Sequence, residues 1–145
     1  MTGRARARLF VGMDLNQITL DCSDLERSRA FYAALGFRLI VWSPPRYARF
    51  EAPSGSTTLS LHHADPCTCA GTSLYFEVED VDATVARIRE AGVAFATEPT
   101  DQSWRWREAW FADPDGRRLC VYHAGLDRRF PPWRTDAEGN PSKER

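Results

Sequence analysis

Side chains able to act as nucleophile, general base or metal ligand are few in this chain and widely spaced. Cys120 sits in the middle of RRLCVYH, His62 and His63 end TTLSLHH, Glu77 closes LYFE, and PCTC holds Cys67 and Cys69. A nucleophilic Cys120 would need its thiolate stabilised by Arg118 or His62. Without that help it is a small, semi-apolar filler. Glu77 can serve as a general base if a dry cavity surrounds it, and Asp21 holds the same place earlier in the chain. His62 and His63 are adjacent, so on a strand they face opposite ways and cannot share one metal. His62 is the ligand-contacting member of the pair, and His123 has no evident partner. The PCTC pair is separated by one residue, not the two to four of zinc-binding pairs, and no second pair follows. Its thiols are read as unremarkable. The run SWRWREAWF places three tryptophans and two arginines in nine residues. Rings beside guanidinium groups suit a planar or conjugated ligand, including one that bears an acidic group.

An internal repeat supplies the elements that must position these groups. ITLDCSDLERSRAFYAALGF aligns without a gap on LYFEVEDVDATVARIREAGV at an offset of 56, so Asp24 falls on Asp80 and Gly36 on Gly92. Ile18, Leu20 and Cys22 alternate with polar residues, the period of a strand with one apolar face. Ser23 and Glu26 have capping-box spacing and predict a helix starting there, with Leu25, Ala30, Phe31 and Leu35 as its apolar stripe. Gly36 and Gly92 are helix stops. Asp80 or Glu79 caps the second helix, and Asp82 lies in its first turn, where the dipole favours an anion. Strands are predicted over FRLIVW, RYARFEA and TTLSLHH in the first copy, and over VAFAT, REAWFAD and RRLCVYH in the second. Each half is strand, helix, three strands. Neither could bury its sheet alone, so the two must pair.

The bulk numbers bound the function. With 145 residues, 43% hydrophobic and 27% charged, the chain is one ordinary soluble domain. A net charge of -1 gives no reason to expect nucleic acid or an anionic membrane as partner. The basic GRARAR is a short solvated arm, and LFVGM is too short for a secretory signal. The expected location is the cytoplasm, where a disulfide framework is not expected.

SDLERSRAFYAALGF, FEVEDVDATVARIREAG and FADPDGRRL together resemble the vicinal oxygen chelate superfamily: glyoxalase I, bleomycin-resistance proteins, fosfomycin-resistance enzymes and extradiol dioxygenases. The resemblance covers residues 15–123, with modules 15–64 and 72–123, an arm at 1–14 and a polar, partly disordered tail at 124–145. It implies an α+β fold of two paired βαβββ modules forming a curved mixed sheet around a cavity, with helices on the outer face. It also implies four inward metal-ligand positions, which here carry Gln17, Ser60, Ser73 and Cys120. An amide, two hydroxyls and a thiol are a poor set for a divalent cation, so no metal or other cofactor is expected.

Strand parity places Arg118, Cys120 and Tyr122 on the cavity side, together with Ser73, Tyr75 and Glu77, and likewise His62 with Ser60. By the resemblance Trp104 and Trp106 build a pocket wall or an interface, while Trp42 and Tyr47 frame the opposite wall; Trp110 and Phe111 are packing. The expected function is metal-independent binding of a small aromatic or conjugated molecule by a homodimer, similar to bleomycin-resistance proteins. The alternative is an enzyme of the same superfamily, either with an atypical metal site or using Glu77, His62 or Cys120 without metal. A third is an accessory module without turnover.

Overall fold

The computed structural model describes residues 12–144; GRARAR and most of LFVGM lie outside the described residues. Asn16–His123 form one compact unit, and the segments flanking it form another. In the flanking unit Gly125–Arg128 is a short 3-10 helix, and Thr135 and Pro141 make an isolated bridge.

The central unit repeats one pattern. The first module runs β1 (Gln17–Cys22), α1 (Leu25–Ala34), β2 (Arg38–Ser43), β3 (Tyr47–Glu51) and β4 (Thr58–His63). The second runs β5 (Ser73–Glu77), α2 (Val81–Glu90), β6 (Thr100–Asp101), β7 (Arg107–Ala112) and β8 (Arg118–His123). The sheets have orders β1-β4-β3-β2 and β5-β8-β7-β6. β1 pairs parallel with β4, and β5 with β8; the other pairs are antiparallel. The α+β class and the doubled βαβββ module are therefore as expected, built as two four-stranded sheets.

Local chemistry explains most boundaries and corrects three expectations. Asp24, not Ser23, caps α1, its side chain accepting from the Arg27 N–H at 3.1 Å. Ser23 instead bonds the Asp115 carboxylate through both its N–H and its hydroxyl. Asp80 caps α2 in the equivalent way, accepting from the Ala83 N–H at 3.0 Å. After each helix the chain reverses through a left-handed glycine, Gly36 at φ +94° and Gly92 at φ +93°, a conformation costly for any residue with a Cβ. VAFAT does not form a strand. Phe95 contributes only an isolated bridge to Phe111, and the edge strand falls later, at Thr100–Asp101. Trp42 pairs with the buried Ala48, after an irregularity between Leu39 and Val41, and so packs toward the first core. Arg29 lies over its ring at 4.4 Å, so Trp42 is no wall of the site face.

Both sheets turn their apolar faces to the helices. Leu20, Cys22, Ala48, Phe50, Leu59 and Leu61 pack with Leu25, Tyr32 and Phe37 in one cluster. Ala109, Phe111, Leu119 and Val121 pack with Val81 and Val85 in the other. Phe31, Leu35, Leu74 and Phe76 touch both clusters, which fuses them into one shared interior. Each large apolar side chain buried there contributes about 1.5–3 kcal/mol. A polar clasp closes the junction. Asp113, in the turn between β7 and β8, accepts from the Tyr32 hydroxyl at 2.8 Å and pairs with Arg117. Arg117 also donates to the Asp21 carbonyl of β1 at 2.6 Å. Because both helix-facing sides share one interior, the opposite faces of the two sheets look away from it.

Candidate functional site

The outward face of the first sheet is a polar network. On β4 the buried Leu59 and Leu61 alternate with Thr58, Ser60 and His62; on β3 the buried Ala48 and Phe50 alternate with Tyr47, Arg49 and Glu51. Cross-strand register sets Ser60 between Thr19 of β1 and Arg49 of β3. Gln17 donates through Nε2 to Ser60 Oγ at 2.8 Å and accepts from the Thr58 hydroxyl. Tyr47 Oη lies 2.6 Å from Ser60 Oγ, and Arg49 Nε donates to Tyr47 Oη at 2.9 Å. Under these longer side chains Ser60 is fully buried although it points away from the core. His62 and His63 are exposed at the strand end.

The outward face of the second sheet is aromatic. Tyr75 packs edge-on against Trp106, Trp110 and Tyr122, with centroids 6.1, 5.4 and 5.8 Å away. Trp106 stacks on Tyr122 at 4.6 Å. Trp106 reaches this position because the preceding turn closes through Arg105 at φ +72°, where a non-glycine residue is uncommon. Arg118 lies over the Trp110 ring at 4.1 Å, and Trp110 Nε1 donates to the buried Glu108 carboxylate at 3.1 Å. Tyr75 is 51% exposed, so the cluster presents a ring to solvent. Trp104, 43% exposed, makes no ring contact with it.

The expected site residues thus separate into two groups. Gln17 and Ser60 bond each other, Tyr75, Trp106 and Tyr122 cluster, and Ser73 and Glu77 lie on β5 beside β8. Trp110 belongs to the aromatic face and not to the core, unlike its neighbour Phe111. Arg49 and Glu108 are members that sequence reading passed over; strand parity from Ser60 and Tyr122 could have found both. His123 does find a partner, its Nδ1 lying 2.8 Å from the Val78 carbonyl. A separate open cleft of about 780 Å³ lies on the helix side, bordered by Leu35, Phe37, Leu59, Leu74, Phe76 and Ile88. Of the expected site residues only Tyr75 and Glu77 border it.

Cys120 is flanked on its two neighbouring strands by Tyr75 and Trp110 and is fully buried. Burial, and secondarily the Glu108 charge, pushes its thiol up to about 12. That shift disfavours the thiolate that a nucleophile or metal ligand needs. The four positions that would hold a metal therefore do not fit one. Gln17 and Ser60 are engaged with each other, Ser73 offers a neutral hydroxyl, and Cys120 keeps its proton. Among the described residues no group of three His, Cys, Asp or Glu side chains is placed to hold a metal ion.

Comparison with known proteins agrees with this geometry. The family model of the Glyoxalase/Bleomycin resistance protein/Dioxygenase superfamily matches residues 14–121. The uncharacterized protein YraH of Bacillus subtilis (strain 168) is 32% identical over 126 residues, covering 76% of this chain and 98% of that protein. TnmS3, an antibiotic binding protein from Streptomyces sp. CB03234, superposes with a TM-score of 0.68 at 27% identity, covering 80% of this chain and 99% of its own. A bleomycin-binding protein complexed with bleomycin has a TM-score of 0.62 at 18% identity, covering 77% and 98%; at that identity the likeness is one of fold. With the doubled module, the outward site faces and the matched model in agreement, the chain belongs to the glyoxalase/bleomycin resistance protein/dioxygenase superfamily.

Proposed function

We propose that the protein binds a flat aromatic or conjugated small molecule, in the manner of a bleomycin-resistance protein, without a metal. The observation that carries this reading is the cluster of Tyr75, Trp106, Trp110 and Tyr122 on a face turned away from the core. Each favourable ring pair adds about 0.5–1.5 kcal/mol beyond area burial, and the solvent-facing Tyr75 leaves a place for a further ring. Similarity to TnmS3 supports an antibiotic as the class of ligand. The donor set at Gln17, Ser60, Ser73 and Cys120 supports metal independence.

A homodimer completes the site in this reading. The outward faces of both sheets lie on the side away from the shared interior. β1 and β5 are both unpaired sheet edges, and exposed edges of this kind are templates for pairing with another chain. A second copy would close the cavity.

Titration with planar antibiotics, bleomycin first, tests the reading through tryptophan fluorescence. Saturable quenching that survives chelator dialysis and weakens on Trp106→Ala is expected. No quenching by any planar compound would sink it, and chemical conversion of the bound compound would favour an enzyme instead. Sedimentation should give twice the chain mass.

A further inference from the structure

The polar face of the first sheet holds Arg49, a guanidinium with no carboxylate in contact among the described residues. Ser60 is fully buried, so its single proton must find an acceptor inside the protein. Gln17 Nε2 at 2.8 Å and Arg49 Nε at 3.4 Å can only donate to it. The remaining neighbour, Tyr47 Oη at 2.6 Å, is therefore the acceptor. Tyr47 Oη then accepts from both Ser60 and Arg49 Nε, and its own proton is left to point outward. Arg49 spends its Nε on Tyr47 and forms no ion pair with a carboxylate among the described residues. Its terminal nitrogens stand beside the phenol, held by the Nε bond and by the ring 5.6 Å below the guanidinium carbon.

From this arrangement we propose that Tyr47 and Arg49 form a two-donor clamp for a carboxylate carried by the ligand. The proposal deepens the small-molecule reading and rests on it for the ligand's remainder. A phenolic O–H beside guanidinium N–H groups matches the two oxygens of a carboxylate, and charge-assisted bonds of this type are about twice as strong as neutral ones. The single guanidinium suits a monoanion. On the second sheet the Arg118 guanidinium lies over the Trp110 ring and is not bonded to a phenol as Arg49 is. The ligand class is thus a flat aromatic acid.

The test is titration with benzoate and with benzamide, which share a ring and differ in charge. The readout is the Arg49 Nε–H resonance, assigned by its loss in Arg49→Gln. Benzoate should move that resonance saturably and bind about tenfold or more tighter than benzamide, the size of a charged hydrogen bond. Tyr47→Phe and Arg49→Gln should each erase the preference for benzoate over benzamide while the near-ultraviolet dichroism stays unchanged. Equal affinities, a preference that survives Arg49→Gln, or no benzoate shift at Arg49 would overturn the clamp. Trp106→Ala separates the two readings, since it should weaken both probes alike. If it weakens neither and the acid preference remains, the clamp stands and the aromatic reading fails.

Discussion

The two modules share a topology and part at their outward faces. α1 and α2 carry the same cap, Asp24 and Asp80, and the same left-handed glycine stop. The inner faces of both sheets are aliphatic and aromatic in the same register. The outer face of one is Gln17, Tyr47, Arg49 and Ser60 joined by hydrogen bonds; the outer face of the other is four clustered rings, edge-on and stacked, over a buried thiol. A strand decouples its two faces, because successive side chains point opposite ways. Folding constrains the inner set in both copies. The outer set is free to specialise, one sheet for charge and hydrogen bonding, the other for stacking.

The strongest way to break the pairing of the modules is Asp113→Ala. Asp113 is buried and receives Tyr32, Arg117 and two backbone N–H groups. Removing it strands the fully buried Arg117 guanidinium and the Tyr32 hydroxyl, and breaking a buried pair from one side costs about 3–5 kcal/mol. Chemical denaturation should show a loss of that order. The contrast is Asp82→Ala, which breaks a pair with Arg107 on the surface and should leave the midpoint almost unmoved. A small loss at Asp113 would mean that the apolar seam of Phe31, Leu35, Leu74 and Phe76 alone joins the halves.

The repeat, both helices and the facing of Ser60, Tyr75 and Cys120 were legible in sequence because period and cap chemistry are local. Three features were not. Trp42 left the expected wall because an irregularity between Leu39 and Val41 shifts strand parity, which residue type does not announce. Ser23 lost the cap to Asp24 because Asp115, far along the chain, claims its hydroxyl and N–H. VAFAT has strand-like residues, yet edge pairing with β7 passes to Thr100–Asp101. Arg49 and Glu108 were not singled out in sequence; cross-strand register puts them beside Ser60 and Tyr122.

A subtler contrast separates the thiols. Cys22 faces the core of the first module and Cys120 the outer side of the second, yet both are fully buried. Burial raises Cys22 to about 11, with the Asp115 charge adding to it, and raises Cys120 to about 12. In the unfolded chain both would ionise near the ordinary thiol value, about 8.5. The sign follows: their contribution is intact below that value and is lost as pH rises through about 11–12, because only the unfolded state releases the protons there. Stability should therefore fall on the alkaline side, and Cys120→Ala should flatten the decline. At pH 8 a thiol reagent should label Cys67 and Cys69, which are partly exposed, well before Cys22 or Cys120. Early labelling of Cys120 would show that the aromatic face opens.

The smallest effect is also the sharpest check on the shared half of the design. Asp24 and Asp80 occupy the same extended cap conformation, at φ -138° and -126°, and each accepts one N–H from the third residue on. Alanine at either position should cost about 1 kcal/mol, the usual value of an N-cap. Their difference matters more than their size. Both helices carry an acid in the first turn, Glu26 and Asp82, but α2 alone has basic residues, Arg87 and Arg89, in its last turn, aligned with the helix dipole. α1 instead buries Leu25, Ser28 and Tyr32. α2 therefore draws relatively more on its ends and α1 on its packed face, so Asp80→Ala should be the more costly of the two in thermal denaturation. Equal losses would mean that packing holds both helices to the same degree.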